Sequence, residues 1–434
     1  MPATTAAWIA ARDAAADRFT TANPESAAQL AHAAEVLPGG NTRSVLYYPP
    51  FPLVMASGKG ARLCDLDGHE YRDFLGEFTA GIYGHSHPVL TKALHGAIKG
   101  GMNLSSQTRG EAELARIIAD RFPVFQSLRF TNSGTEANIM ALIAARHFTG
   151  RSRVMVFSGA YHGGPLSFGG GASATNLPFD FIYGRYNDTV ATLTTLDASD
   201  APVAAILVEG MLGAGGCIPG DPAFLAELQR WAHANGALFI LDEVMTSRLH
   251  PQGLQSALGL SPDLTVMGKY LGGGMPIGVF GGRADIMARF DPRVVGAVPH
   301  AGTFNNNVMT MQAGAVGLTQ VFTEEACQSL NAQGERLRAR LNAVCTAHGA
   351  PAHYTGIGSI MNLQCQPPQV TRPEQVAREN AEMKDMVFFG LTERGFYTAR
   401  RGLIALNLCL SEGDCDDLVA AFDDTLAEMA HLWA

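Results

Sequence analysis

Between residues 76 and 322, short apolar runs alternate with amphipathic segments, and this alternation restricts the fold more than any other feature of the sequence. The apolar runs predict strands at 128–131, 154–157, 203–208, 238–241 and 264–267. Helical patterns separate several of them, at 134–148 and 222–234. Strands connected through helices form a mostly parallel sheet with helices on both faces. The sequence therefore predicts an α/β fold in which ligands bind at the carboxyl ends of the strands.

The residues on either side of this region are expected to form a smaller α+β unit. Residues 5–36 carry a helical pattern, and 53–75 have the pattern of a small meander. Near the C-terminus, the sequence predicts helices and short strands at 324–348, 360–363, 374–394, 403–406 and 412–432. The predicted domains are therefore a large ligand-binding domain, 76–322, and a small domain built from both ends of the chain, 1–75 and 323–434.

Composition excludes several classes of protein. A chain of 434 residues with 47% hydrophobic and 16% charged side chains has enough apolar material for a large packed interior. Its net charge is −9, and no basic block with interleaved aromatic residues indicates a nucleic-acid partner. No apolar run has the length of a membrane span. The seven cysteines are scattered without a C-x-x-C pair, so we expect reduced thiols in the cytoplasm and no metal site. The G-H-S-H-P segment containing His85 and His87 is interpreted as a structured loop.

Lys269 has surroundings unlike those of the other four lysines. It follows the predicted strand 264–267 and precedes three glycines, Gly272 to Gly274. An amine at the end of a buried strand, facing backbone without side chains, is placed to lose its hydration and to form a Schiff base. Asp242 ends a second apolar strand. A buried lysine and a buried carboxylate at two strand ends suggest an enzyme that uses pyridoxal phosphate.

Other residues fit the parts of that cofactor. Ser133, Gly134 and Thr135 follow a strand and open a helix, where free amides and hydroxyls can hold a phosphate, although an ordinary capped helix has the same pattern. Tyr161, beside glycines at a strand end, can stack on a planar ring, although a core tyrosine is equally compatible.

Asp242 can keep a pyridine nitrogen protonated, so that the ring accepts electrons, although a helix cap is the alternative interpretation. Val244 and Met245 would then supply an apolar face opposite Tyr161.

Five motifs resemble the class III, fold-type I pyridoxal phosphate aminotransferases. They are S-G-T-E-A at 133–137, Y-H-G at 161–163, D-E-V-M-T-S-R at 242–248, G-K-Y-L-G-G-G-M-P-I-G at 268–278 and H-A-G-T-F at 300–304. The nearest branch is the one that contains glutamate-1-semialdehyde aminomutase. The resemblance extends over nearly the whole chain. It departs from the family at Glu209-Gly210, where many members have Glu-Pro, so we assign no catalytic role to Glu209.

The resemblance implies specific roles. Lys269 would form the Schiff base with the cofactor, and Ser133, Gly134 and Thr135 would hold its phosphate. The cofactor ring would stack on Tyr161 and pair its nitrogen with Asp242. Thr303 would reach the phosphate from the neighbouring subunit, which implies a homodimer with shared active sites.

Two arginines are candidates for binding the substrate. Arg43 lies in L-P-G-G-N-T-R-S-V, which resembles the N-terminal signature of the β-amino acid aminotransferases, and Arg400 follows Tyr397 in the C-terminal unit. A guanidinium binds a carboxylate in bidentate fashion, although either residue could equally be a surface arginine. We predict that Arg43 holds an aromatic β-amino acid, 3-amino-3-phenylpropanoate, and that Arg400 engages the acceptor, 2-oxoglutarate. The aromatic preference is implied by the resemblance alone.

Three alternatives use the same cofactor site. A 2,1-aminomutase would need no second substrate, and a decarboxylase or racemase would cleave a different bond. A non-catalytic pyridoxal phosphate-binding module is the alternative from another class, and the paired Lys269 and Asp242 argue against it.

Overall fold

The computed structural model describes residues 4–368, 370–376 and 379–433. Its strands are β1 (Met55–Lys59), β2 (Arg62–Asp65), β3 (Glu70–Asp73), β4 (Ser127–Thr131), β5 (Arg153–Phe157), β6 (Asp180–Gly184), β7 (Val203–Glu209), β8 (Met211–Leu212), β9 (Ile218–Pro219), β10 (Leu238–Asp242), β11 (Leu264–Gly268), β12 (Gly278–Gly282), β13 (His353–Ile357), β14 (Ile360–Gln364), β15 (Phe396–Tyr397) and β16 (Leu403–Ala405). Its α-helices are α1 (Thr5–Ala22), α2 (Pro24–Ala34), α3 (Pro88–Gly100), α4 (Arg109–Arg121), α5 (Gly134–Thr149), α6 (Thr189–Asp197), α7 (Pro222–Ala234), α8 (Leu254–Ala257), α9 (Ala284–Met287), α10 (Val308–Val316), α11 (Glu324–Ala347), α12 (Pro373–Val376), α13 (Ala381–Glu393) and α14 (Glu412–Met429).

The central layer is a seven-stranded sheet in the order β4-β12-β11-β10-β7-β5-β6. Its pairs are parallel except that β12 runs antiparallel to both of its neighbours. Strands β7, β10, β11 and β12 are buried along their whole length, which explains why their sequences are continuous apolar or glycine runs instead of alternating ones. The predicted α/β fold with a mostly parallel sheet is confirmed.

Two smaller sheets are built from the regions outside the central layer. β15, near the C-terminus, pairs in parallel with β3 and extends the N-terminal meander into a four-stranded sheet. β13, β14 and β16 form a three-stranded antiparallel sheet. Asn407 Nδ2 also donates to Asp73 O at 3.0 Å, so the two ends of the chain are joined by side-chain as well as backbone hydrogen bonds. The predicted domain boundaries stay a prediction.

Two predicted helices are wrong in their extent. The helix predicted over 5–36 is interrupted at Asn23, because Pro24 disfavours helical backbone in the residue before it and starts α2 instead. The helix predicted over 374–394 is also not continuous, although residues 377 and 378 lie outside the described part. Asn380 is the N-cap of α13, with its side chain accepting from Met383 N at 2.9 Å.

The register of the central sheet brings several chain segments to one edge. Thr131, Gly278 and Gly268 are neighbours across β4, β12 and β11, and Asp242 and Glu209 are neighbours across β10 and β7. A Cβ at Gly278 would overlap Ser133 O, so only glycine permits this close approach of β12 to the start of α5. None of the helices in the described part of the chain combines the length and apolarity needed to cross a membrane.

Candidate active site

Lys269 directly follows β11 and is held by a turn that lies far away in sequence. Its Nζ donates to Phe78 O and to Thr79 Oγ1, both at 2.8 Å. Lys269 itself has a φ of 56°, in the left-handed region that residues with a side chain seldom adopt. The amine is therefore fixed by two acceptors and a strained backbone.

The turn that supplies these acceptors, Gly76 to Thr79, is left-handed throughout, with φ values of 54°, 48°, 52° and 80°. Asp73 supports its start, because Oδ1 accepts from Leu75 N and Gly76 N. Arg248, which is fully buried, supports its end by donating to Thr79 O at 3.2 Å. Three consecutive non-glycine residues at positive φ cost free energy, and such strain is concentrated at functional sites.

The pKa of the Lys269 amine is lowered to about 7, chiefly by burial and next by the positive charge of Arg401. The carboxylates of Asp242 and Glu209 oppose this shift. A lysine with a pKa near neutrality is available as a free base at physiological pH, which an ordinary lysine is not.

Asp242 ends β10 in a closed hydrogen-bonding environment. Its Oδ2 accepts from Asn138 Nδ2 at 2.8 Å and lies 2.7 Å from His162 Nδ1, while its Oδ1 accepts from Val244 N at 2.9 Å. Only 4% of Asp242 is exposed. These three contacts fix the orientation of the buried carboxylate, so it can bind one further polar partner.

The start of α5 is close to the loop after β5. Ser133 is the N-cap, and its Oγ accepts from Glu136 N at 3.1 Å. Gly163 has a φ of 119°, and a Cβ there would overlap Thr135 Oγ1. Val244 packs against Gly134, where an added Cβ would lie 2.8 Å from Val244 Cγ2. Glycines thus border the first amides of a sixteen-residue helix, an arrangement that suits an anion.

Tyr161 and Glu209 occupy the side of the cleft formed by β5 and β7. Tyr161 is 49% exposed, and its backbone N donates to Glu209 Oε1 at 3.0 Å. Glu209 Oε2 accepts from Gly213 N at 2.9 Å, and Met245 packs against Gly213. Burial raises the pKa of Glu209 to about 7, with His162 opposing the shift and Asp242 adding to it. Glu209, to which we assign no catalytic role from the sequence, is the neighbour of Asp242 across β7 and β10.

A cavity of about 260 Å³ lies next to the turn at Gly76 to Thr79. Its apolar and aromatic lining is provided mainly by Val45, Leu46, Tyr48, Leu75, Phe78 and Tyr397. Arg400 also lines it, and its Nε donates to Asp385 Oδ1 at 2.6 Å. Arg43 lies over the ring of Phe78, 5.4 Å from the ring centre, and forms an ion pair with Glu77. Both arginines named from the sequence are therefore at the site, and each is paired with a carboxylate of the protein.

Thr303 lies in an exposed loop on the surface of the described chain. It lines a cavity of about 530 Å³ together with Met102, Leu104 and Phe304. These three apolar side chains are about half exposed.

Several site residues were missed by sequence reasoning. Phe78 and Thr79 are 191 and 190 residues away from the lysine they contact, so no local pattern connects them with it. Asn138 is one helical turn into α5, where its pattern is that of a polar helix residue. Arg401 had a visible signal, because it is adjacent to Arg400, but the sequence could not tell which of the two guanidinium groups packs over Phe78.

Comparison with known proteins identifies the family. Residues 46–426 match the model for "Aminotransferase class-III". The β-phenylalanine transaminase of Variovorax paradoxus is 52% identical over 404 residues, which is 93% of each chain.

Solved structures agree with this match. A crystal structure of a β-phenylalanine aminotransferase from Variovorax paradoxus superposes with a TM-score of 0.96 at 50% identity, covering 98% of this chain and 99% of that one. A transaminase with pyridoxal phosphate bound has a TM-score of 0.86 at 30% identity, covering 94% and 98%. A glutamate-1-semialdehyde aminomutase from Pseudomonas aeruginosa shares the fold, with a TM-score of 0.88 at 24% identity over 99% and 100% of the two chains. The chain belongs to the class III aminotransferases and is a transaminase that depends on pyridoxal phosphate.

Proposed function

We propose that this enzyme transfers the amino group of an aromatic β-amino acid, 3-amino-3-phenylpropanoate, to 2-oxoglutarate. The proposal rests on the cavity that aromatic side chains and arginine line beside the turn that holds Lys269. Its volume of about 260 Å³ is just below the range of about 300–1,000 Å³ typical of sites for drug-sized ligands, and suits a small amino acid. The activity named for the 52% identical relative supports the same substrate class.

The residues of the cleft fit pyridoxal phosphate. The amides and hydroxyls of Ser133, Gly134 and Thr135 would hold the phosphate at the start of α5, with Thr303 contributed by a second subunit of a homodimer. Tyr161 would cover one face of the ring, and Val244 with Met245 would cover the other.

Proton transfer is assigned to Lys269. When bound, the cofactor accepts the electron pair that is released as the carbon bearing the substrate nitrogen loses its proton. Asp242, fixed by Asn138 and His162, would hold a proton at the ring nitrogen and so favour the uptake of that electron pair. Lys269 would act as the general base that takes the proton from the substrate carbon and then holds it at Nζ for return. The acceptors Phe78 O and Thr79 Oγ1 would direct its Nζ.

Arg43 and Arg400 are proposed to bind the carboxylates of the two substrates. Arg43 would hold the β-amino acid, and Arg400 would engage 2-oxoglutarate. Each would exchange a protein carboxylate, Glu77 or Asp385, for that of a substrate. Because one carboxylate replaces another, the exchange needs no net change of charge around the guanidinium.

A half-reaction tests the proposal. The enzyme in its pyridoxal form is mixed with racemic 3-amino-3-phenylpropanoate without a keto acid, and the cofactor absorbance is followed. We expect conversion to the pyridoxamine form, and return to the pyridoxal form when 2-oxoglutarate is added. An unchanged spectrum would refute the substrate, and turnover of glutamate semialdehyde without any keto acid would indicate a 2,1-aminomutase. Release of carbon dioxide before a keto acid forms would indicate a decarboxylase.

A further inference from the structure

The loop that contains His85 directly follows the left-handed turn that holds Lys269. The proposed transamination gives no role to the side chains of this loop. Its first residue, Gly81, donates from its backbone N to Gly76 O at 2.8 Å, so the loop begins at the turn itself. We call residues 81–85, with the sequence G-I-Y-G-H, the anchor segment. A displacement of the anchor segment would be transmitted to the turn and so to the acceptors of the amine.

His85 contacts the carboxylate that supports the start of the turn. Its Nε2 lies 3.0 Å from Asp73 Oδ2, while Asp73 Oδ1 accepts from Leu75 N and Gly76 N. Asp73 is only 2% exposed, and a buried carboxylate with partners on both oxygens has a fixed orientation. His85 therefore orients the group that accepts from the first two amides of the turn.

The position of His85 is itself closely restricted. Its backbone exchanges two hydrogen bonds with Gly60, at 2.7 and 2.9 Å. A Cβ on Gly58 would lie 2.8 Å from His85 Cγ, so β1 packs directly against the imidazole. Gly84 has a φ of 68°, and a Cβ there would lie 2.6 Å from Gly60 O. The N-terminal meander therefore holds the anchor segment in place.

Tyr83 reaches the main chain on the other side of the lysine. Its hydroxyl donates at 3.0 Å to the carbonyl oxygen of Tyr270, the residue that follows Lys269. Tyr83 is buried, and a Cβ on Gly317 would lie 2.6 Å from its Oη, so backbone packs against the hydroxyl. This hydrogen bond restrains the main chain next to Lys269, whose φ of 56° lies in the left-handed region.

We propose that Tyr83 and His85 are positioning residues for Lys269. Tyr83 holds the main chain that follows the lysine, and His85 acts through Asp73 on the turn that accepts from its amine. One short segment thus restrains both ends of the lysine, its backbone and its Nζ. Each residue acts on proton transfer through the orientation of the amine and not by contact with the substrate. The proposal rests on the assignment of Lys269 as the base in the proposed function.

The first test measures the single-turnover rate with 3-amino-3-phenylpropanoate as a function of pH. Tyr83→Phe keeps the ring, His85→Leu removes the imidazole nitrogens, and His85→Gln supplies an amide that can again donate to Asp73. In Tyr83→Phe and His85→Leu we expect the rate to fall roughly two- to twelvefold, the range for one lost hydrogen bond, with little change in the half-saturation concentration. His85→Gln should recover most of the rate. An unchanged rate in Tyr83→Phe or in His85→Leu would overturn the role of that residue.

The midpoint of the rate against pH distinguishes positioning from a general loss of structure. Once released from Asp73, the turn stabilises the ammonium form of Lys269 less well, so the midpoint in His85→Leu should lie below that of the wild type. The charged groups that affect the pKa of Lys269 are unchanged in these variants: Arg401, Asp242, Glu209 and Arg248. A lower rate with an unchanged midpoint would assign His85 a merely structural role and overturn its part of the proposal.

A double-mutant comparison tests the route through the turn. Thr79→Val removes one of the two acceptors of Lys269 Nζ and leaves Phe78 O. In that background, His85→Leu should displace the midpoint less than it does alone, because less stabilisation of the ammonium form is left to lose. Equal displacements in the two backgrounds would show that His85 does not act through the turn.

A matched control removes a histidine from another histidine–aspartate pair. His348 Nε2 lies 2.8 Å from Asp423 Oδ1, and Asp423 is exposed. His348→Leu should have the rate and the midpoint of the wild type. A displaced midpoint in this variant would show that the loss of any such pair moves the readout, and it would overturn the inference from His85→Leu.

The second test needs no substrate. Holoenzyme reconstituted with pyridoxamine phosphate, in which Lys269 is free, is treated with acetic anhydride over a range of pH, and acylation of each lysine is measured by mass spectrometry. The chain has only five lysines, and three exposed ones serve as internal references, namely Lys59, Lys92 and Lys99.

We expect the midpoint of Lys269 acylation to move to lower pH in Tyr83→Phe and His85→Leu, while the midpoints of the reference lysines stay constant. Equal midpoints of Lys269 in the wild type and both variants would overturn the proposal. A displaced midpoint in an enzyme that does not convert 3-amino-3-phenylpropanoate would refute the proposed substrate and leave the positioning of the amine standing.

Discussion

Replacing Thr79 with valine tests whether the left-handed turn positions the catalytic amine. Thr79 is fully buried, and its hydroxyl is one of two acceptors for Lys269 Nζ. Valine keeps the shape and removes that acceptor. A lost hydrogen bond of about 0.5–1.5 kcal/mol corresponds to roughly a two- to twelvefold fall in the rate of proton transfer. The Thr79 hydroxyl accepts a hydrogen bond from the ammonium form of Lys269 and thereby stabilises it. Loss of the hydroxyl should therefore lower the pKa of Lys269 further below about 7.

The assay is the single-turnover rate with the β-amino acid, measured as a function of pH. Lys269 acts as a base only when neutral, so the rate rises with pH through its pKa, and the midpoint of this rise should move to lower pH in Thr79→Val. Thr79→Ser is the control, since it retains the hydroxyl and should keep the midpoint of the wild type. Equal rates in the valine and serine variants, or a midpoint displaced to higher pH, would refute the positioning role.

Three further outcomes are expected. Lys269→Ala should lose the absorbance of the lysine-bound cofactor and nearly all turnover, and retained turnover would remove the lysine from its role. Arg43→Ala should raise the KM for the β-amino acid far more than that for the keto acid, whereas equal effects in steady-state kinetics would contradict the assignment. Gly163→Ala should weaken cofactor affinity measured by equilibrium titration, because the new Cβ would overlap Thr135 at a φ of 119°. Unchanged affinity would show that this contact does not shape the phosphate region.

The sequence predicts five of the seven strands of the central sheet, but not β6 and β12. Among the predicted strands, β7, β10 and β11 are buried on both faces and appear as continuous apolar runs. The sequence also locates Lys269 and Asp242, since strand ends in such a sheet meet at one edge. The interruption at Asn23 was visible in principle, because Pro24 follows it, but the apolar positions on both sides have helical spacing. In a prediction from local patterns, this helical spacing outweighs the single backbone constraint at Pro24.

The contacts within the site could not be predicted in the same way. The acceptors of the Lys269 amine come from a turn at positive φ. No amino-acid preference predicts three consecutive non-glycine residues in that conformation. Arg400 and Arg401 have the same chemistry and adjacent positions, so only their packing against Asp385 and Phe78 distinguishes them. Tertiary contacts decide these roles.

The pairing of β15 with β3 has a consequence for synthesis of the chain on the ribosome. Strand β3 is made more than 300 residues before β15 and, until the last tenth of the chain emerges, has an unpaired edge. Lys269, Asp242 and the start of α5 are all translated earlier. A nascent chain can therefore assemble the cofactor cleft while Arg400 and Arg401 are still missing from it. The segment that closes the exposed strand edge is therefore also the last to add arginines to the cavity.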